Sequence, residues 1–162
     1  MSVSNVKAYL AAFGLDGRVR EFDVSSATVE LAAEALGTEG ARIAKSITLH
    51  DADGGCIMIL CAGDYKIDNH SFKSRFGFKA RMLSPDEALA MTGHAVGGIC
   101  PFDLPKIGVR VYLDESLRRF DVVYPAAGSA SSAVALSCDE LFVASRALSW
   151  ETLCKPRESG NT

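Results

Sequence analysis

Residues 42–62 read RIAKSITLHDADGGCIMILCA, and this stretch decides the fold. Larger apolar residues alternate through Arg42 to His50, whereas Cys56 to Ala62 are apolar without a break. Alternation is typical of a half-buried strand, and a short continuous apolar run is typical of a fully buried one. The glycines within 51–55 supply a turn, so the pattern predicts a hairpin of one partly exposed and one buried strand.

On both sides of this hairpin, helical and extended patterns are mixed along the chain. Helices are predicted over Thr28–Leu36 and Asn69–Phe76, and after two capping boxes at Ser84–Glu87 and Ser137–Glu140. Strands in neighbouring pairs, mixed with helices, indicate an α+β fold: a single domain with a mixed β-sheet and flanking helices. The further strands are predicted over Lys79–Leu83, Val109–Leu113, Asp121–Tyr124 and Ala133–Leu136.

The size and charge of the chain limit the classes of protein to which it can belong. Its 162 residues suit one domain, which we place at 1–154, with a flexible C-terminal tail at 155–162. A net charge of −3 argues against a protein that coats nucleic acid through bulk positive charge, and we expect no DNA partner. The sequence has no apolar run of membrane-spanning length and no secretory signal pattern, so we expect a cytoplasmic protein without a membrane partner.

Lys45 interrupts an apolar face. In an extended strand it shares one side with Ile43, Ile47 and Leu49, because side chains alternate along a strand. Two interpretations stay open for this lysine. It either extends past the apolar surface into water, or holds its charge at the lip of a pocket, where it grips a phosphate or stabilises an oxyanion.

Two segments of small residues are candidate site loops. Residues 93–101 read GHAVGGICP, and the Gly97–Gly98 pair permits close approach of a ligand to backbone N–H groups that can bind an anion. Residues 125–129 read PAAGS and directly follow a predicted strand. In both places a plain tight connection is the alternative interpretation.

Other groups give weaker signals. Cys100 and His94 could form a thiol nucleophile with its base. The five cysteines and three histidines have no metal-ligand spacing, so we predict neither a metal nor a cofactor. The segment 66–81 is basic with interleaved phenylalanines, which suits either a phosphate-contacting face or an amphipathic helix with solvated cations.

Four ordered segments resemble the YbaK/EbsC family, the free-standing relatives of the editing domain inserted in bacterial prolyl-tRNA synthetases. The resemblance runs from about residue 25 to residue 147. The segments are AAEALG at 32–37 with IAKSI at 43–47, TGHAVGGICPF at 92–102, VYLDESL at 111–117, and FDVVYPAAGS at 120–129.

The resemblance implies an aminoacyl-tRNA deacylase that hydrolyses mischarged tRNA, typically tRNA(Pro), with Cys-tRNA(Pro) as the favoured substrate. Its partners would be the 3′ end of the mischarged tRNA and, as a further candidate, prolyl-tRNA synthetase. Water or a substrate hydroxyl or thiol would be the nucleophile. Asp103 stands where many relatives have glycine. The implied catalytic residues are Lys45, Gly97 and Gly98, and the implied substrate-binding residues are Pro101, Gly128 and Ser129.

A binding module of a different class fits the same residues. A non-catalytic protein could use this pocket to hold an aminoacyl-tRNA or nucleotide ligand, and Lys45 would then matter for binding alone.

Overall fold

A computed structural model describes residues 3–158, and this range contains five helices, nine strands and three short 3₁₀ segments. The helices are α1 (Val3–Ala11), α2 (Val29–Leu36), α3 (Asn69–Phe76), α4 (Pro85–Thr92) and α5 (Cys138–Ser145). The first five strands are β1 (Val19–Glu21), β2 (Ile43–His50), β3 (Cys56–Ala62), β4 (Tyr65–Ile67) and β5 (Val109–Asp114). The last four are β6 (Tyr124–Pro125), β7 (Ser132–Val134), β8 (Trp150–Glu151) and β9 (Cys154–Pro156). The 3₁₀ segments are Asp16–Arg18, Gly40–Arg42 and Glu115–Arg119.

The central sheet has five strands in the order β6-β2-β3-β5-β8. The β2–β3 pair is antiparallel and the other three pairs are parallel, so the sheet is mixed. Two-stranded antiparallel ribbons, β1–β7 and β4–β9, flank it. The predicted α+β class with a mixed sheet and flanking helices is therefore confirmed.

The predicted hairpin forms the middle of this sheet. Seven residue pairs join β2 to β3, from Ala44 opposite Ala62 to His50 opposite Cys56. Every residue of β3 is buried, as its unbroken apolar run predicts. Asp51 N–H donates to the Gly55 carbonyl across the turn (2.9 Å).

Each face of the sheet carries its own core. One face packs against α1 and α5, and its largest buried residues include Leu10, Met58, Leu60, Phe102, Leu113 and Leu141. The opposite face packs against α3 and the β4–β9 ribbon, through Leu49, Ile57, Ile59, Phe72, Tyr112 and Leu153. Within residues 3–158 the sheet is thus covered on both sides, which leaves its edges available for a site.

Local capping signals in the sequence match the helices closely. Glu87 N–H donates to Ser84 Oγ (3.1 Å), and Ser84 N–H donates to Glu87 Oε1 (2.8 Å), which completes the capping box before α4. The same reciprocal bonds join Ser137 and Glu140 before α5. Both predicted boxes are confirmed.

The chain departs from three expectations. Of the predicted strand Asp121–Tyr124, only Tyr124 lies in a strand, the two-residue β6, because residues 121–123 form no ladder beyond one bridge from Val123 to Leu136. Lys79–Leu83 is not a strand, because only Met82 bridges to β2 there, opposite Leu49. The predicted flexible tail begins instead as strand β9, in which Lys155 and Pro156 pair with β4. Residues 159–162 of that predicted tail lie outside the described residues.

Across residues 3–158, no helix is long and apolar enough to cross a membrane.

Asp114, the last residue of β5, binds the start of β9 to the central sheet through hydrogen bonds. This carboxylate is 2% exposed and accepts backbone N–H bonds from Leu153 (2.8 Å), Cys154 (3.1 Å) and Ser116 (3.0 Å). Asp114→Ala leaves three buried donors without this acceptor, so we expect it to lower the free energy of unfolding by at least about 3 kcal/mol. Urea denaturation measures the loss. The control is Asp23→Ala at an exposed position, and its free energy of unfolding should stay within about 0.5 kcal/mol of that of the wild type. Equal stability of the two variants would contradict this role.

Candidate functional site

The candidate site is a pocket at the uncovered middle of strand β2. Strand β6 pairs only with Ile43 and Ala44 at one end of β2. At the other end, Leu83 N–H donates to the Thr48 carbonyl (3.0 Å). No strand covers the outer side of β2 between these two points within the described chain, and the pocket opens at that gap.

The pocket has a volume of about 390 Å³ and a mostly apolar lining. Helices α2 and α4 contribute two walls, and the loop that contains Gly97 contributes a third. The polar side chains of the lining all carry hydroxyl groups, apart from the charged Lys45. The apolar lining includes Val29, Ala32, Met82, Leu83, Ala88, Val96 and Ile99, and the polar lining includes Ser26, Thr28, Lys45, Ser46, Thr48 and Ser132.

Ser46 presents unused polar groups to this pocket. Backbone hydrogen-bonding direction alternates along an antiparallel strand, so the N–H and C=O of Ser46 point the same way as those of Thr48, away from β3. Its hydroxyl oxygen is buried and has no hydrogen-bond partner within residues 3–158. The residue therefore offers a ligand a donor and acceptors at the open sheet edge.

Lys45 lies at the boundary between the pocket and the opposite face of the sheet. It lines the pocket, and its side of β2 faces Cys61 on β3 and the ribbon that carries Cys154 and Arg157. Its ammonium forms no hydrogen bond or ion pair within the described residues. Burial lowers the pKa of Lys45 below its ordinary value, and the positive charge of Arg157 acts in the same direction. An anion bound there would relieve both effects.

The two loop glycines have different environments. Gly97 lines the pocket with a φ of +95°, in the region that favours glycine. Gly98 instead packs against the backbone of Gly128 and Ser129, where a Cβ would come within 2.6 Å of the Ser129 nitrogen. The Gly98 N–H already donates to the Ala95 carbonyl (2.9 Å). It is therefore not placed as an available oxyanion donor, which differs from the sequence expectation.

Gly98, Pro101, Gly128 and Ser129 lie outside the lining of the pocket. The Ser132 hydroxyl organises the loop 126–131, since it accepts from the N–H of Ser129 (3.2 Å) and donates to the carbonyl of the same residue (3.2 Å). Sequence reasoning missed Ser132 and Ser46 as lining residues. Ser46 could have been predicted from the sequence, because it directly follows Lys45 in the IAKSI segment.

The Cys100–His94 pair is buried behind the loop. Both residues are fully buried, with 3.6 Å between Cys100 Sγ and His94 Nε2. Burial raises the pKa of Cys100 to about 12, so the reactive thiolate is suppressed. His94 Nε2 lies 2.7 Å from the Phe102 carbonyl, which ties the two ends of the loop together. This geometry opposes a thiol nucleophile and assigns the pair to loop packing.

Asp103 has a φ of +56°. This left-handed conformation suits glycine best and aspartate better than most other residues. A glycine at this position, which the sequence resemblance implies for relatives, would adopt the same conformation with less strain.

The phenylalanines of the basic segment 66–81 belong to the core. Phe72 is fully buried, and Phe76 and Phe78 pack on the same cluster. They are therefore not a stacking surface for nucleotide bases. The segment's lysines are exposed.

Comparison with known proteins identifies the family of this chain. The family model described as the aminoacyl-tRNA editing domain matches residues 23–143. The chain therefore belongs to the aminoacyl-tRNA editing domain family, which confirms the resemblance seen in its sequence.

Individual relatives cover nearly the whole chain. YwhH, an uncharacterized protein of Bacillus subtilis (strain 168), is 47% identical over 158 residues, which is 98% of this chain and 100% of YwhH. A solved structure described as that of a candidate trans-editing enzyme for prolyl-tRNA synthetase is 26% identical with a TM-score of 0.84, over 96% of this chain and 99% of that one. The structure of hypothetical protein APE2540 is 27% identical with a TM-score of 0.83, over 93% and 99%.

The tight contact of Gly98 yields a stability prediction. Gly98→Ala places a methyl group against the backbone of residues 128–129, so we expect a loss of about 1 to 3 kcal/mol in the free energy of unfolding. Gly17→Ala is the matched control, because a Cβ there meets nothing within 4 Å. Urea denaturation of both variants measures the difference. Equal stability would show that the loop moves aside without cost.

His94 yields a prediction about pH. Burial holds the pKa of folded His94 below its ordinary value of 6.5. As the pH falls below 6.5, the unfolded chain binds a proton that the folded chain resists, and stability declines by up to about 1.4 kcal/mol per pH unit. His94→Gln should remove this component, whereas exposed His70→Gln should keep it. Urea denaturation between pH 7.5 and 5 measures the slopes, and the same slope in both variants would contradict the assignment.

Proposed function

We propose that this protein is a trans-acting aminoacyl-tRNA deacylase, which hydrolyses the ester that joins a wrong amino acid to the terminal ribose of a tRNA. One observation carries the proposal: Lys45, a half-buried cation without an ion pair in the described residues, borders a mostly apolar pocket at an open sheet edge. The chain's membership of the editing-domain family supports the reaction class.

Lys45 binds the charged end of the substrate in this mechanism. A tRNA 3′ end offers phosphate groups, and an ammonium in a partly desolvated position attracts them more strongly than one in bulk water. Contact with phosphate holds the ester at the pocket, where the amino-acid side chain enters the apolar space. The main-chain N–H and C=O of Ser46, which point away from β3, would contact the aminoacyl group at the sheet edge.

A water molecule or a hydroxyl or thiol of the substrate supplies the nucleophile, because Cys100 is fully buried with a raised pKa. The nucleophile adds to the ester carbonyl carbon and loses its proton, and a tetrahedral oxyanion forms. The carbon–oxygen bond to the ribose then breaks, and the ribose oxygen takes up a proton. The N–H of Gly97 is the loop's candidate donor to the oxyanion, since that of Gly98 is already donated to Ala95.

Cys-tRNA(Pro) is the proposed substrate. The mostly apolar lining favours a compact side chain of low polarity, and a structural relative is described as a candidate trans-editing enzyme for prolyl-tRNA synthetase. We propose tRNA(Pro) as the carrier and the synthetase as a further partner on the same basis. Assays with tRNA charged with Cys, Ala, Ser and Thr, with Pro as the control, rank the amino acids directly.

A non-catalytic binding module remains the second candidate, because the same unpaired cation and pocket could simply hold an aminoacyl-tRNA. The charged-tRNA assays separate the two. Hydrolysis above background supports the deacylase, and binding without hydrolysis supports the module.

The central prediction concerns Lys45→Ala. It should lower the deacylation rate by about 100- to 1,000-fold, because the substrate loses the cation that positions its ester. Lys106→Ala is the control, since Lys106 is an exposed lysine outside the pocket lining. Release of labelled amino acid from mischarged tRNA(Pro) measures the rate, and urea denaturation verifies the fold. Unchanged turnover by Lys45→Ala would overturn the proposed function.

A further inference from the structure

The β4–β9 ribbon carries two like charges side by side. Its antiparallel register places Lys66 directly opposite Lys155. Side chains of directly opposite residues project from the same face, and both lysines are exposed. Like charges in this position destabilise a strand pair, so the sequence of the ribbon is not the one that its stability alone would favour.

Neither lysine is neutralised by an ion pair within the described part of the chain. The nearby carboxylates have other partners. Asp68 accepts from the N–H of His70 (3.2 Å) and the hydroxyl of Ser71 (3.1 Å) at the start of α3. Asp64 forms an ion pair with Arg119 (2.6 Å). Asp68 keeps its charge near Lys155, since its hydrogen-bond partners are neutral. The two lysines outnumber this carboxylate, so the outer face of the ribbon stays positive although the whole chain has a net charge of −3.

The β4–β9 ribbon lies close to Lys45. Its inner face carries Cys154, which lies near Lys45, and the charged Arg157 just after β9 lies near Lys45 as well. The Arg157 guanidinium donates to the Gly63 carbonyl (3.1 Å), at the turn between β3 and β4. Arg157, which also forms an ion pair with Glu30 (4.0 Å), thus joins the end of the ribbon to the surroundings of Lys45.

We propose that the outer face of the β4–β9 ribbon, defined by Lys66 and Lys155, binds the phosphodiester backbone of the acceptor end of tRNA. This inference rests on the proposed function, and it adds the route by which the RNA reaches the pocket. Backbone phosphates are neutralised by exposed cations without sequence recognition, which suits an enzyme that must accept the shared 3′ end of a tRNA. Two adjacent ammonium groups can bind these phosphates even though the protein as a whole has a net negative charge.

Protection of a strand edge is the competing explanation, because lysines at sheet edges discourage pairing with another chain. A glutamate at position 66 would protect the edge equally well, and it would also face Lys155 as an opposite charge. The two explanations therefore make different predictions for Lys66→Glu.

The first experiment measures binding of uncharged tRNA(Pro) transcript to the full chain by fluorescence anisotropy at several salt concentrations. For Lys66→Glu we expect about tenfold weaker binding at low salt, and a slope of log K against log salt that is smaller by about 1 to 2. Its urea denaturation midpoint should be equal to or higher than that of the wild type, since a like-charge pair becomes an opposite-charge pair. Lys106→Glu makes the same change of charge at an exposed position elsewhere and should bind as the wild type does.

The second experiment measures hydrolysis of aminoacyl-adenosine, a substrate that has the ester but no phosphodiester backbone. Lys66→Glu should hydrolyse it at the wild-type rate while its kcat/KM for mischarged tRNA falls. A salt slope unchanged by Lys66→Glu, or an equal loss in Lys106→Glu, would overturn the ribbon proposal. Failure of the wild type to hydrolyse mischarged tRNA would overturn the deacylase, whereas the ribbon proposal is decided by tRNA binding alone.

Discussion

The antiparallel ladder between β2 and β3 is the constraint on which the rest of the structure depends. Its seven pairs fix which face each residue of β2 occupies, because a shift by one residue would exchange the two faces. In this register Leu49 enters the core under α3, and Ala44 enters the core on the other side of the sheet. Lys45 and Ser46 are held by the same ladder, one on each side of the strand. The site is thus positioned by the most deeply buried element of the fold.

An incompletely covered strand is ordinarily a liability, since its unpaired N–H and C=O groups can pair with another chain. Here β6 covers two residues of β2, and Leu83 covers the far end. Helices α2 and α4 and the loop around Gly97 then enclose the gap. The enclosure admits a small group and excludes another strand, so an edge that would otherwise promote aggregation becomes a pocket with polar backbone groups on one wall.

The sequence predicted the features that depend on neighbouring residues. Alternation and an unbroken apolar run specified the hairpin, and both capping boxes specified the starts of α4 and α5. Prediction from the sequence was wrong for features that depend on contacts between distant segments of the chain. Gly98 resembles an anion-binding glycine by local pattern, but its surroundings are set by Ser129, which the fold brings against it. Likewise, 79–83 has a strand-like composition but follows β2 through only a few hydrogen bonds.

The environment of Lys45 favours the binding of an anion. Burial lowers its pKa, and Arg157 adds a like charge nearby, so the folded protein holds this cation at a cost in stability. A purely structural residue at this position would be apolar, like its neighbours on the same face of β2. An anionic ligand would reverse the electrostatic effect, because it would stabilise the charged ammonium and raise its pKa again. The binding free energy of such a ligand would therefore include relief of a penalty already present in the folded protein. In the proposed function, one lysine can therefore bind a polyanionic substrate although the protein as a whole has a net negative charge.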